Sequence, residues 1–207
     1  GKRSRRRLLQ LFFGKDKIRS CSRCKWKRAK SGHECCMASG ILELSVETQS
    51  TTEEIVSVTN NSLCKLMEQD MNMTMVLAEF DIQSRQLKLA NAGQHAYPML
   101  IRNNEVRSLK AKGLALGIIP SILYKSLTVD IESGDLLLFM TDGITEPRNE
   151  QGRMYDESGR LRQFIASLSP DLSAQEIVDQ IIDDVLSYMV DPEDRDDDIT
   201  LVAVKVT

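Results

Sequence analysis

The sequence predicts an α+β fold in which sheets are covered by helices. Three features carry that prediction: a helical start, a middle of hairpin-linked strands, and two further helices before a last strand. From Met37 to Asp70, Ile41, Leu44 and Val46, then Ile55, Val58, Leu63, Leu66 and Met67, recur near a 3.6-residue period, giving two helices. Thr51 or Thr52, followed by Glu53 and Glu54, supplies a cap and an acidic first turn for the second helix. The spacing then becomes strand-like in MTMVLAEFDI, QLKLANAG and AYPMLIRNNEVRSL, with Asn103 and Asn104 placed where a hairpin turn is expected. GDLLLFMTDG is a nearly continuous apolar run, as expected of a strand buried on both faces. Helices are expected around Gly159 to Leu168 and Ala174 to Met189, and DITLVAVKV closes the chain as a strand. Met71, Met73 and Met75 read as one face of a strand, and Cys64 as a core residue of its helix.

The 207 residues are 42% hydrophobic and 28% charged, which excludes a collagen, a coiled coil or a disordered tail. No apolar run is long enough for a membrane span, and the start lacks the features of a secretory signal, so a cytoplasmic chain is expected; its opening on Gly1 rather than methionine predicts a fragment of a longer protein. The net charge of −3 conceals an asymmetry. Residues 1 to 36 hold 13 of the 27 Lys and Arg against Asp16 and Glu34, a balance of +11, which leaves 14 against 28, or −14, for the rest. The expected organisation is therefore an aberrant, poorly ordered basic segment over residues 1–36 and a globular domain over 37–207. Four of the five cysteines, Cys21, Cys24, Cys35 and Cys36, fall in the basic part with His33.

Two segments carry chemistry: GDLLLFMTDGITEPRN (Gly134 to Asn149) and DDDITLV (Asp196 to Val202). In each, aspartates border a strongly apolar strand, which is costly unless the carboxylates have partners. Hard cations such as Mg²⁺ or Mn²⁺ prefer such oxygen ligands; a turn at Asp142-Gly143 and a solvated acidic cluster at Asp196-Asp197-Asp198 are the plainer alternative. With NAGQHAYPML (Asn91 to Leu100) and GLALGI (Gly113 to Ile118), these segments resemble, in order and spacing, the bacterial stage II sporulation E type of protein phosphatase 2C-like (PPM-type) enzymes. The resemblance implies a four-layer αββα sandwich whose two sheets hold two Mn²⁺ or Mg²⁺ ions at one edge. There, metal-bound water would attack a phosphoserine or phosphothreonine in line. By motif matching, Asp142 with Gly143 and Asp197, with Asp198 as the alternative register, are the catalytic metal-binding residues. Asn91, Gly93 and His95 match the N-A-G-H block, but the extra Gln94 shifts the facing of His95, which reads as a turn histidine.

The family pattern also requires a G-G-D-Y-Y strand and a D-V-S-G-K-G turn before the first long helix, and neither is present. A zinc site from Cys21, Cys24, His33 and Cys35 or Cys36 is disfavoured by irregular ligand spacing. Specific nucleic-acid recognition is disfavoured because the arginine run has no helical pattern and little aromatic interleaving. A change of reading frame accounts for the segment better. With codons allowed for Ser4 to Phe12 and read one nucleotide later, the stretch becomes Q-G-G-D-Y-Y-N-F-F, and Arg23 to His33 becomes D-V-S-G-K-G-L-K-A-A-M. The two missing aspartates would then correspond to the codons of Arg7 and Arg23, and the frame would change near Glu34 to Met37.

Two functional readings follow. In the first, the chain is a metal-dependent serine/threonine phosphatase domain impaired by loss of two metal-binding aspartates. The resemblance gives it a phosphorylated regulatory protein, of the anti-sigma-factor-antagonist kind, as partner and allows a homodimer. In the second, it is a non-catalytic binding or regulatory module whose basic arm engages an acidic partner.

Overall fold

The computed structural model describes residues 9–13, 17–27, 33–67, 71–191 and 199–207, with side chains from Cys36 onward. Contacts divide the chain into two compact units, one running to Gln94 and including Ala111–Asp130, the other made of His95–Lys110 and Ile131–Thr207.

The first unit contains a five-stranded antiparallel sheet in the order β1-β2-β3-β4-β7. Its strands are β1 (Leu9–Phe13), β2 (Lys17–Lys27), β3 (Asn72–Asp81), β4 (Gln86–Ala92) and β7 (Ser126–Asp130). Helices α1 (His33–Thr48) and α2 (Thr52–Leu66) cover it. Thr51 caps α2: its side chain accepts from the Glu54 N–H, and the Glu54 carboxylate accepts from the Thr51 N–H. Leu42, Ile55, Val56 and Leu63 from the helices meet Met73, Met75, Leu77, Ala90 and Ala92 from the sheet in one core. The methionine alternation is thus the helix-facing side of β3 and its entry. Cys64 is half-buried, with its thiol 3.7 Å from Asn60 Oδ1, and so sits at the rim of the core where a core position was expected.

The boundary expected at Met37 falls inside α1, and two stretches of the basic segment run as strands. In β2 the register slips between Ser22 and Lys25, so that Arg23 and Cys24 together oppose Met75, the geometry of a β-bulge. The short strand β7, which pairs with β4 from Gln86↔Asp130 to Ala90↔Ser126, has no counterpart among the strands read from the sequence.

The second unit holds a four-stranded antiparallel sheet, β6-β5-β8-β9, built from β5 (Met99–Arg102), β6 (Glu105–Ser108), β8 (Leu136–Met140) and β9 (Leu201–Lys205). Asn103 and Asn104 both take positive φ, 51° and 64°, in the two-residue turn that joins β5 to β6. Every residue of β8 is buried, as its apolar run predicts. The one-turn helix α3 (Asp142–Thr145), α4 (Arg160–Ser167) and α5 (Ala174–Tyr188) complete the unit. Ile177, Ile181 and Val185, at four-residue intervals on α5, pack with Leu138, Met140, Leu161 and Ile165 in its core. No helix among the described residues is long and apolar enough to cross a membrane.

One buried ion pair secures the entry to β8. Asp135, 1% exposed, receives both Arg102 Nε and Nη2 at 2.7 Å and the Glu132 N–H at 2.8 Å. Burial alone would raise its pKa, but the Arg102 hydrogen bond, the Glu132 N–H and the Arg102 charge outweigh that and hold the carboxyl below the ordinary range. A depressed folded-state pKa gives stability that is complete above the unfolded value, about 4, and is lost as pH falls through the folded value. Arg102→Met is expected to destabilise the chain by about 3 kcal/mol at neutral pH, because it leaves a buried carboxylate unpaired. Its acid-unfolding midpoint, followed by circular dichroism, should move to higher pH.

Candidate metal centre

Asp142 stands at the end of β8, where the apolar run stops and α3 begins. It is buried, its Oδ1 accepts the Gly143 N–H at 3.0 Å, and its carbonyl accepts the Glu146 N–H at 2.8 Å. Asp142 and Gly143, for which a turn was the plainer alternative, form the first turn of a short helix. The neighbouring Thr141 fastens this end of β8 to the entry of β9. Its N–H donates to Thr200 O, and its Oγ1 accepts the Thr200 N–H, both at 3.1 Å. Thr200 leads directly into β9, the strand hydrogen-bonded to β8, so the described part of the terminal motif lies beside the end of β8 that Asp142 follows. Asp197 and Asp198 themselves lie outside the described residues, as do the side chains of Arg7, Arg23, Cys21, Cys24, His33 and Cys35. Cys36 is exposed.

Among the described residues, no three His, Cys, Asp or Glu side chains gather closely enough to hold a metal ion. Of the expected ligand set, those residues contain Asp142 and Gly143 only. One carboxylate and one peptide group do not fit a two-metal centre, which needs several hard oxygen donors to balance its charge.

The other two motifs form a structural lock in the first unit. Asn91 is buried, and its Nδ2 donates to Gln94 O at 2.8 Å and to Ala111 O at 2.9 Å, while its Oδ1 accepts the Gln94 N–H at 2.8 Å. Both donated bonds and the accepted one go to backbone groups that hold the Gln94 and Ala111 segments together. Gly93 has φ +78°, and a Cβ there would come within 2.8 Å of Ala115; its N–H donates to Gly113 O at 3.0 Å. A Cβ on Gly113 would lie 1.8 Å from Asn91 O. The glycines of both motifs thus permit a backbone approach that no side chain allows. His95 is exposed in the bend that follows, in keeping with its reading as a turn histidine.

A second polar cluster, not singled out in the sequence, joins the segment after α3 to α5. The Tyr155 hydroxyl donates to Asp184, which also receives Arg160 at 2.6 and 3.0 Å. Burial is the main cause that raises the Tyr155 pKa, with the Asp184 hydrogen bond next. Arg160 lies 5.6 Å above the Tyr188 ring, which meets Tyr155 edge to face. These partners come from elements more than 20 residues apart and leave no local spacing signal.

The chain matches the family of stage II sporulation protein E (SpoIIE) over residues 29–207. It belongs to the SpoIIE family. Phosphoserine phosphatase RsbU of Bacillus subtilis is 29% identical over 160 residues, 77% of this chain and 46% of that protein. Protein IcfG of Synechocystis is 32% identical over 140 residues, 65% of this chain and 21% of that protein. The chain thus spans less than half the length of these relatives. The solved PP2C phosphatase domain of Bacillus subtilis SpoIIE, with a fragment of its regulatory domain, superposes with a TM-score of 0.79. That match has 21% identity and covers 97% of this chain and 58% of the other. The SiaA-PP2C domain of Pseudomonas aeruginosa gives 0.81 at 18% identity, over 97% and 80%. The fold is therefore the α+β fold of PP2C-type phosphatases, as the motifs predict.

Gly113→Ala in this SpoIIE-family domain is expected to cost about 3 kcal/mol, because the methyl group meets a backbone oxygen that cannot withdraw. Gly152→Ala, where φ is +73° but nothing lies within 4 Å of the added Cβ, should cost about 1 kcal/mol. Urea titration of both variants measures the difference; equal costs would show that the close approach at Gly113 relaxes around the added methyl group.

Proposed function

We propose that this chain is the phosphatase domain of a longer regulatory protein, and that metal-dependent hydrolysis of phosphoserine or phosphothreonine is impaired in it as the sequence stands. The observation that carries this reading is where the family match begins. Residues 1–28, in which the G-G-D-Y-Y and D-V-S-G-K-G motifs belong, lie outside it, whereas Asp142, Asp197 and Asp198 lie within it. On this reading Arg7 and Arg23 stand where the family has aspartates. Two cationic side chains in place of two carboxylates change the local charge by four units, against the binding of any divalent cation.

Asp142 would be the ligand from the T-D-G motif, with the Gly143 peptide beside it, and Asp197, or Asp198 in the alternative register, the ligand from the terminal motif. Mn²⁺ or Mg²⁺ is the cation these oxygen donors suit. A phosphorylated regulatory protein is the substrate class, in line with the relative RsbU, a phosphoserine phosphatase. A cytoplasmic location belongs to the same proposal.

A second reading, a non-catalytic module with an integral basic arm, is favoured by one observation: the backbone of Leu9–Phe13 and Lys17–Lys27 already completes the first sheet. Limited proteolysis separates the two. A segment lost rapidly to a core starting near Met37 supports the first reading, and a resistant amino terminus supports the second.

Calorimetric titration with Mn²⁺ should give no micromolar binding to the chain as written. Micromolar binding that Asp142→Asn abolishes would overturn the proposal. With the codons of residues 4–36 returned to the shifted frame, the chain should hydrolyse p-nitrophenyl phosphate with Mn²⁺. Asp142→Asn should then lower the rate about 100-fold, equivalent to about 2.7 kcal/mol of barrier, with an unchanged unfolding midpoint. Asp197→Asn and Asp198→Asn in the restored chain identify the register, since only the true ligand should raise the metal requirement sharply.

A further inference from the structure

The connection between Leu109 and β7 combines large exposed apolar side chains with a backbone that is firmly held. Leu114, Ile118, Ile119 and Leu123 are 41%, 46%, 52% and 87% exposed, four aliphatic residues within ten positions. Single exposed apolar residues are ordinary on protein surfaces, but this density on one connection is not.

A mobile loop could fold such residues inward, yet this one is pinned. Asn60 on α2 donates through Nδ2 to Ile119 O at 2.9 Å and accepts the Gly117 N–H on Oδ1 at 3.0 Å. Asn61 accepts the Ser121 N–H at 2.7 Å, and the Tyr124 hydroxyl donates to Leu114 O at 2.9 Å. Leu116 exchanges both backbone hydrogen bonds with Met73. Gly117 and Ser121 take positive φ, 85° and 61°, so the path includes a conformation rarely adopted by side-chain-bearing residues such as Ser121. The apolar side chains are presented on a scaffold that is ordered before any partner arrives, which lowers the entropy cost of binding.

The charge of the connection is also distinct. Between Glu105 and Asp130 there is no acidic residue, and Lys112 and Lys125 flank the apolar stretch, in a domain whose residues 37–207 carry −14. Both lysines are exposed, and neither forms an ion pair among the described residues.

We propose that the Gly113–Lys125 connection is a docking surface for a protein partner that presents acidic side chains around an apolar patch. The aliphatic tips supply buried area, and Lys112 and Lys125 select for negative charge at the rim. Two other occupants fit less well. A second copy docked through this face by a two-fold axis would set the lysines against their own counterparts. An anionic bilayer is a broad plane that would also meet a domain whose residues 37–207 carry a net −14. The proposal does not rest on hydrolysis and stands or falls separately from the reading of the metal centre.

The test uses the full 207-residue chain, labelled with nitrogen-15, and a synthetic amphipathic peptide of leucine and glutamate. Amide shifts confined to residues 112–125 and the end of α2 are expected, with binding weakened about tenfold in Ile119→Ser/Leu123→Ser and in Lys112→Glu/Lys125→Glu. All four positions are exposed, so the thermal midpoint should not change in either double variant. The proposal is overturned by absence of shifts in this region, or by equal binding of a leucine–lysine peptide. Tighter binding to phosphatidylglycerol/phosphatidylcholine vesicles than to the peptide would also overturn it, as would a sedimenting dimer that Leu123→Ser dissociates.

Discussion

A strand buried along its whole length must still begin and end, and β8 does both at a carboxylate. The five apolar residues from Leu136 to Met140 are flanked by Asp135 before and by Thr141 and Asp142 after. Burial of a charged group without compensation is far more costly than the gain from any one apolar contact, so each end has to be built around its acid. At the entry this is done by the Arg102 fork, which reaches from the neighbouring strand β5. At the exit the carboxylate turns onto the first peptide of α3, and Thr141 joins the exit to β9. The sheet order of the second unit and the position of its candidate ligand thus follow from one constraint.

The first unit meets a comparable constraint with neutral groups. Asn91 bridges two loops through three hydrogen bonds, and the glycines at 93 and 113 allow the backbones to come close enough for those bonds to form. The motif that resembles the family's N-A-G-H block has its asparagine bound to backbone groups and its histidine in solvent. Asn60 uses the same device one layer away, where its amide holds the connection to β7.

What could be read from the sequence was local or periodic. The β8 run, the Asn103-Asn104 turn, the Thr51–Glu54 cap and the methionine face of β3 each depend on residues within a few positions of one another. The PP2C-type fold came from four motifs whose order carries more information than any one of them. The Arg102–Asp135 pair spans 33 residues and Tyr155–Asp184 spans 29, and their partners have no fixed spacing to recognise. Strand β7 is five residues long with one buried position, too short for period-two alternation to stand out. Asp142 was legible as a costly acid at a strand end, but not as the first residue of a helix, because Gly143 favours a turn on local propensity.

Both long helices of known capping, α2 and α5, open with a reciprocal box: Thr51 with Glu54, and Ser173 with Glu176. Each box closes over three residues and needs nothing from the rest of the chain, so these helices can nucleate early and independently. The sheets cannot. Strand β4 must find β7 beyond two intervening strands of the other sheet, and β8 must wait for β9 across three helices. The chain therefore acquires its helices on the timescale of local closure, while the pace of its folding is governed by these distant strand pairings. In a protein made vectorially, the second sheet can close only after Leu201–Lys205 has emerged, and until then β8, fully apolar, lies along a free edge.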